Sequence, residues 1–203
     1  MFSNTINAFL LNMGFEPNQF YKRVSKLYAP HEAVFGLLIE DFFHQAIIET
    51  EDFNHFINLN NIKDSSNIFD PLYELFNNIR QFKSGGKLGL FKEREATWGL
   101  PSNILNQSDI IDIGNLLDLT DEIEIFRGMS QEEYDNGDFG QSWSTDYETA
   151  RKFAEEFYSD KAEGIVVKTT LDKGHALHYD KNKEFEVITM KGSINQSSVF
   201  IVN

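Results

Sequence analysis

Two glutamates separated by one residue lie in an apolar run near the C-terminal end of the chain, which reads KEFEVI over residues 183–188. Such a run is typical of a β-strand, in which alternate side chains share a face. The carboxylates of Glu184 and Glu186 are therefore predicted to point the same way, about 7 Å apart along the strand, with Phe185 and Val187 on the other face. Paired carboxylates can hold a hydroxyl and steer a nucleophile on one substrate. The solvated outer face of an edge strand is the alternative interpretation.

Two upstream motifs carry side chains that could serve the same substrate. Arg127 ends an apolar, alternating segment and is followed by Gly128. A guanidinium there can form a bidentate contact with phosphate or carboxylate, and glycine lets a ligand approach the backbone closely. The second motif, SWSTD at residues 142–146, is a short strand that runs into a helix. Its Ser142 and Ser144 share a face, so their hydroxyls can bond a neighbouring carboxylate or a ligand.

In this order, the arginine strand, the serine-threonine strand and the Glu-x-Glu strand resemble the arginine-serine-glutamate class of mono-ADP-ribosyltransferases. The resemblance covers residues 122–202. The Ala-x-x-Phe-Ala pattern at residues 150–154 and the strand and turn at residues 186–193 are similar to the segments that follow the family's motifs. The resemblance implies an α+β fold with an N-terminal helical part packed on a split, mostly antiparallel β-core of ADP-ribosyltransferase type, with NAD in the cleft.

The resemblance also implies which residues hold NAD, the co-substrate. Arg127 would hold a phosphate or ribose, and the backbone of Gly128 would pair with the nicotinamide amide. Ser144, with Ser142 and Thr145 beside it, would brace the catalytic glutamate and the nicotinamide ribose. The family usually stacks an aromatic ring on nicotinamide, for which this sequence offers three candidates: Tyr147, Phe153 and Tyr158.

The two glutamates would carry the chemistry that the resemblance implies. Glu186 would bind the ribose 2′-hydroxyl and stabilise the oxocarbenium-like state as nicotinamide leaves. Glu184 would orient or deprotonate the acceptor, a macromolecule and by preference a protein arginine. Nicotinamide is already a cationic leaving group, so neither a general acid nor a metal has to be found. The family's Ser-Thr-Ser motif ends here in Asp146, which we interpret as a helix cap.

Charge and composition narrow the partners of the protein. Among 203 residues, 32 acidic side chains stand against 18 basic ones, a formal charge of −14 that disfavours a nucleic-acid acceptor. The chain has no cysteine, which excludes disulfides and cysteine-ligated metal. Without a basic leader or a long apolar run, we expect a soluble, cytoplasmic protein with no membrane partner. A phage or toxin-module effector that acts in the host cytoplasm fits this expectation by analogy.

The order of predicted elements is helical first and β-rich second, an α+β arrangement. We place the helical part at residues 1–118 and the β-rich part at residues 119–203, within one compact unit. Residues 172–183 are predicted to be a loop that recognises the acceptor, where His175 and His178 lack a third metal ligand. Helices are predicted at residues 3–13, 17–28, 31–50, 70–82 and after Asp146, and strands at residues 122–126, 140–145, 164–171, 184–190 and 198–202.

Two other functions remain open. The same fold could transfer ADP-ribose to water, which would make the protein an NAD glycohydrolase. Alternatively, a non-enzymatic acidic protein could occupy the nucleic-acid-binding surface of a partner. The acidic charge agrees with such a decoy, but it does not account for the order of Arg127, Ser144 and Glu186 along the chain.

Overall fold

A computed structural model of the chain describes residues 4–13, 16–18, 22, 50–66, 69–93, 104–157 and 164–202. It is an α+β protein, as the order of elements predicts, and it divides into two compact units, Met1–Asn103 and Ile104–Asn203. Residues 104–118 therefore belong with the β-rich unit rather than with the helical part. Hydrogen bonds attach this segment to the sheet: the backbone N–H and C=O of Leu105 both bond the side chain of Gln141, and Asn115 N donates to Tyr179 O.

In the described part of the first unit, three helices have both ends placed: α1 (Asn4–Met13), α2 (Thr50–Leu59) and α3 (Phe69–Glu93). Helix α1 confirms the helix predicted at residues 3–13. Helix α3 confirms the start predicted at residue 70. Its backbone breaks from helical geometry in a kink at Gly86 (φ 59°, ψ −150°), just after the predicted end, and a second helical segment continues to Glu93. The predicted helix at residues 17–28 and the predicted helix at residues 31–50 lie almost wholly outside the described residues.

The second unit is built on one six-stranded sheet in which every strand pair is antiparallel. The strand order is β4-β5-β2-β1-β3-β6. Its elements in chain order are β1 (Glu122–Ser130), α4 (Gln131–Asn136), β2 (Ser142–Ser144), α5 (Tyr147–Phe157), β3 (Gly164–Asp172), β4 (Ala176–Asp180), β5 (Glu186–Thr189) and β6 (Phe200–Val202).

Strand β4 corrects the prediction of a loop over residues 172–183. His178 lies in this strand with 4% of its surface exposed, and its Nδ1 is 2.8 Å from Asp112 O. It is therefore not a solvated loop histidine. The strand was missed because a five-residue segment with a central histidine has no clear apolar alternation, and its burial depends on pairing with β5.

The two faces of the sheet are covered differently. On one face Ile125, Met129, Trp143 and Val187 belong to the main hydrophobic core. On the other face helix α5 packs on the sheet through a smaller apolar cluster that contains Ala150, Ala154 and Val166. Helix α5 begins as predicted, because the carboxylate of Asp146 accepts bonds from Thr149 N and Thr149 Oγ1, both 2.8 Å long.

Glycine at position 128 is what lets helix α5 lie so close to β1. A Cβ on Gly128 would lie 2.2 Å from Ala150 O and 2.5 Å from Ala154 N, which no real side chain could tolerate. No helix in the described part of the chain has both the length and the hydropathy that a bilayer crossing needs.

Candidate functional site

The strand order brings the three predicted motifs side by side. Strands β5, β2 and β1 are successive neighbours in the sheet, and they carry Glu186, the two serines and Arg127 respectively. In the register, Phe126 is opposite Ser144, and Ser144 is opposite Glu186. Directly opposite residues of neighbouring strands share a face. The serine motif and the second glutamate of the sequence analysis therefore meet on one face of the sheet.

Glu186 is held by a hydroxyl from the neighbouring strand. The residue is 8% exposed, and its Oε1 accepts a hydrogen bond from Ser142 Oγ over 2.5 Å. A carboxylate with so little contact with water depends on such donors, because burial without them is costly. The structure thus fixes the carboxyl group of Glu186 on one face of the sheet, with Ser142 as a hydrogen-bond donor to it.

The hydroxyl of Ser144 has a different use from the one that the resemblance implies. Its Oγ donates to Glu184 O over 2.8 Å and accepts a bond from Asp146 N over 3.0 Å. Ser144 stands at the end of β2, where the chain turns into helix α5, and the turn engages its hydroxyl. The direct bond to Glu186 therefore comes from Ser142, and Ser144 braces the segment just before Glu186.

The segment before β5 is a turn and not the predicted strand. Strand β5 begins at Glu186, and both Glu184 (φ 60°) and Phe185 (φ 49°) have left-handed backbone conformations. The prediction that Glu184 and Glu186 alternate on one strand is therefore wrong. The prediction that Phe185 fills the opposite face is also wrong, since this residue is 45% exposed, whereas Val187 is fully buried as predicted.

This turn is strained and is held in place by β2. A left-handed residue other than glycine costs roughly 1–2 kcal/mol, so two in succession need compensation. The compensation comes from the carbonyls of the same two residues: Ser144 Oγ bonds Glu184 O, and Thr145 N bonds Phe185 O over 3.0 Å. Strain of this kind is frequent at functional sites. As a result, the exposed Glu184 side chain is presented beside the buried Glu186 rather than in line with it.

The guanidinium of Arg127 forms hydrogen bonds with Glu133 and Ser142. Its Nε and Nη2 donate to the carboxylate of Glu133 over 2.9 and 3.3 Å, and its Nη1 donates to Ser142 O over 2.6 Å. The two side chains of the ion pair are only 15% and 18% exposed. Arg127 leaves β1 on the face of Ile125 and Met129, which are fully buried. Its contact with a phosphate or ribose stays a prediction.

The remaining predicted positions lie around these groups. Gly128 is opposite Val166 of β3 and lies under helix α5, so its contact with a nicotinamide amide also stays a prediction. Thr145 Oγ1 is 3.4 Å from the hydroxyl of Tyr179.

Among the aromatic candidates for stacking on nicotinamide, Tyr147 packs edge-on against Phe126 with ring centroids 5.8 Å apart. Phe153 is half-buried on helix α5, and Tyr158 lies outside the described residues.

Sequence reasoning missed Glu133 and Phe126. The signal for Glu133 was weak, because one of several acidic residues in a short polar helix offers nothing to single it out. Phe126 lies opposite Ser144, which the register between β1 and β2 decides and alternation within one strand does not predict.

Comparisons with known proteins do not assign the chain to a family. No protein-family model matches the chain, and neither a curated protein nor a solved structure matches it. Over residues 104–157, 164–202 and the described helices of the first unit, there is no group of three or more histidine, aspartate or glutamate side chains that could hold a metal ion.

Proposed function

We propose that the protein is a mono-ADP-ribosyltransferase of the arginine-serine-glutamate type, with a β-core of that type, which moves ADP-ribose from NAD to a macromolecular acceptor. The observation that carries the proposal is the Ser142–Glu186 bond between neighbouring strands, next to the strand of Arg127. Ser142, Ser144 and Glu186 share one face of the sheet, whereas Arg127 leaves β1 on the opposite face and reaches this group through the carbonyl of Ser142.

The proposed chemistry needs a carboxylate fixed beside a sugar that becomes cationic. When bound, NAD would supply the ribose and the cationic nicotinamide leaving group. Glu186 supplies the negative charge, and Ser142 orients it before the reaction begins, so little reorganisation is required. The loss of one such preorganised electrostatic group costs roughly 3 kcal/mol or more in other enzymes. Glu186 is thus the residue whose loss should be most damaging.

The proposed acceptor is a protein side chain, with arginine favoured. Glu184 is exposed on its turn and carries the first carboxylate of the Glu-x-Glu pair. A large acceptor can reach such a group without entering the sheet, and a carboxylate is the natural partner of a guanidinium. Glu184 would hold the acceptor and take up the proton that it loses on transfer.

The test is to incubate the protein with labelled NAD and follow nicotinamide release, with and without a cell extract. We expect release that depends on extract, together with a labelled macromolecule, and no release by Glu186→Gln. Glu122→Gln is the matched control, since Glu122 is an exposed strand glutamate and its variant should behave as the wild type. Fast release without extract would instead identify an NAD glycohydrolase. No release under either condition, with Glu186→Gln retaining the biological effect, would favour the acidic decoy.

A further inference from the structure

We propose that Glu133 is a positioning residue for the carboxylate of Glu186. It acts through a chain of hydrogen bonds, Glu133–Arg127–Ser142–Glu186, which crosses from α4 through β1 and β2 to β5. As far as it concerns catalysis, the inference rests on the proposed function. Neither the composition nor the motifs single out Glu133; only its contacts do.

The first step of the chain is the carboxylate of Glu133, which accepts hydrogen bonds from two separate segments. Glu133 Oε1 accepts from Arg127 Nε over 2.9 Å and from Gly140 N over 3.0 Å, while Oε2 accepts from Arg127 Nη2 over 3.3 Å. Bidentate bonds between arginine and a carboxylate fix the plane of the guanidinium as well as its position. Glu133 therefore ties β1 to the segment that leads into β2.

The second link passes from the guanidinium to Glu186 through a single residue. Arg127 Nη1 donates to the carbonyl of Ser142, and the hydroxyl of Ser142 donates to Glu186 Oε1. The register between β1 and β2 consists of one residue pair, Phe126 and Ser144. Strand β2 is held on its other side by three residue pairs with β5, so the bond from Arg127 adds the restraint on Ser142 from the β1 side.

Close packing of the Gly140 segment restricts the conformations open to the guanidinium of Arg127. A Cβ on Gly140 would lie 2.5 Å from Arg127 Nη2, so this segment closes against Arg127. Three of the five N–H donors of the guanidinium are used by Glu133 and Ser142. Its charge is balanced by Glu133, which suits a structural link better than a primary phosphate ligand.

The kinetics of Glu133→Gln distinguish a positioning role of Arg127 from a phosphate-binding role, because the first predicts a change in kcat and the second a change in KM. If Arg127 acts through Ser142, the loss of Glu133 misplaces Glu186 and lowers kcat, because errors of about 1 Å cost on the order of a hundredfold. If Arg127 binds NAD directly, the loss of its competing carboxylate changes KM and leaves kcat unchanged.

The experiment measures kcat and KM for nicotinamide release, and thermal unfolding, for Glu133→Gln, Glu133→Asp and Glu132→Gln. Glu132 is an exposed neighbour in the same helical turn and serves as the control. We expect Glu133→Gln to lower kcat by about tenfold or more with KM within about threefold, and Glu133→Asp to recover part of the loss. Glu132→Gln should match the wild type. Wild-type kcat with a lowered unfolding midpoint, or a change in KM alone, would overturn the proposal.

A second measurement does not depend on activity. In a double-mutant cycle of Glu133→Gln with Ser142→Ala, the changes in the unfolding equilibrium constant should depart from independence by about threefold or more. Independent changes would overturn the chain of bonds. If the wild type releases no nicotinamide at all, the proposed function fails, and this cycle alone decides whether Glu133 positions Ser142.

Discussion

Ser142 Oγ donates to Glu186 Oε1 although the two residues are diagonal, not opposite, in the strand register: Ser142 is opposite Ile188, and Glu186 is opposite Ser144. Diagonal neighbours in an antiparallel pair are close enough for such contacts. The arrangement divides two tasks between two serines. Ser142 orients the carboxylate, and Ser144 supports the turn before it.

The two serines should therefore respond differently to alanine. We expect Ser142→Ala to lower kcat for nicotinamide release by about tenfold or more, since Glu186 loses its oriented donor. Ser144→Ala should lower the free energy of unfolding by about 1–2 kcal/mol and reduce transfer through the displaced turn. Steady-state kinetics and chemical denaturation measure both effects. Equal effects of the two variants on release would contradict this division.

The two glutamates should separate release from transfer. Glu186→Gln is expected to abolish both nicotinamide release and acceptor labelling, because it removes the charge that the proposed reaction needs beside the ribose. Glu184→Gln should reduce labelling more than release, since Glu184 lies on the exposed turn, where the proposed acceptor would reach it. Release and labelling can be followed in the same reaction with NAD labelled in each half. Equal loss of both in Glu184→Gln would refute the assignment.

The left-handed turn should show a conflict between stability and activity. Glycine at position 184 removes a backbone cost of roughly 1–2 kcal/mol, which its greater freedom in the unfolded chain partly offsets. We expect Glu184→Gly to raise the free energy of unfolding by up to about 1 kcal/mol while transfer falls. Glu184→Ala is the control, because it removes the carboxylate and keeps the strain. A Glu184→Gly variant that is less stable than Glu184→Ala would show that the strain is not relieved.

The close contact of helix α5 with β1 should not tolerate a methyl group. Gly128→Ala would place a Cβ against two backbone atoms of α5, and overpacking of this kind costs about 1–3 kcal/mol. Gly85→Ala makes the same chemical change in helix α3 with no atom within 4 Å, so it should leave stability unchanged or slightly higher. Thermal unfolding of both variants tests the contrast. Similar midpoints for Gly128→Ala and the wild type would mean that α5 shifts without cost.

The attachment of residues 104–118 to the sheet should depend on Gln141. Its amide is buried and bonds Leu105 N, Leu105 O and Thr189 O, each over 2.8 Å. Gln141→Ala leaves these groups without their partner, so we expect a loss of about 2–3 kcal/mol and faster proteolysis near Leu105. Gln131→Ala, which removes an exposed amide bonded to Asp135, should cost under about 0.5 kcal/mol. A comparable loss in both variants would argue against a special role for Gln141.

Local patterns were enough to place most elements of the second unit. The alternation before Arg127 predicted β1, and the cap at Asp146 predicted the start of helix α5, because both depend on residues close together in the chain. The apolar run at residues 164–171 likewise predicted β3. Strand β4 lacked such a pattern, since its burial arises from its neighbours.

The sequence by itself determined which chemical groups the site contains and their order along the chain: a guanidinium, two hydroxyls and two carboxylates. Only the tertiary structure decided which of them touch. The strand period assigns side chains to a face, but it cannot say that Ser142 rather than Ser144 reaches Glu186, or that Glu184 leaves the strand. Those outcomes depend on the register between strands and on turn hydrogen bonds, which join residues about forty positions apart. Glu133 contacts Arg127 only six positions away, but that contact depends on how α4 folds back onto β1 and not on a residue pattern.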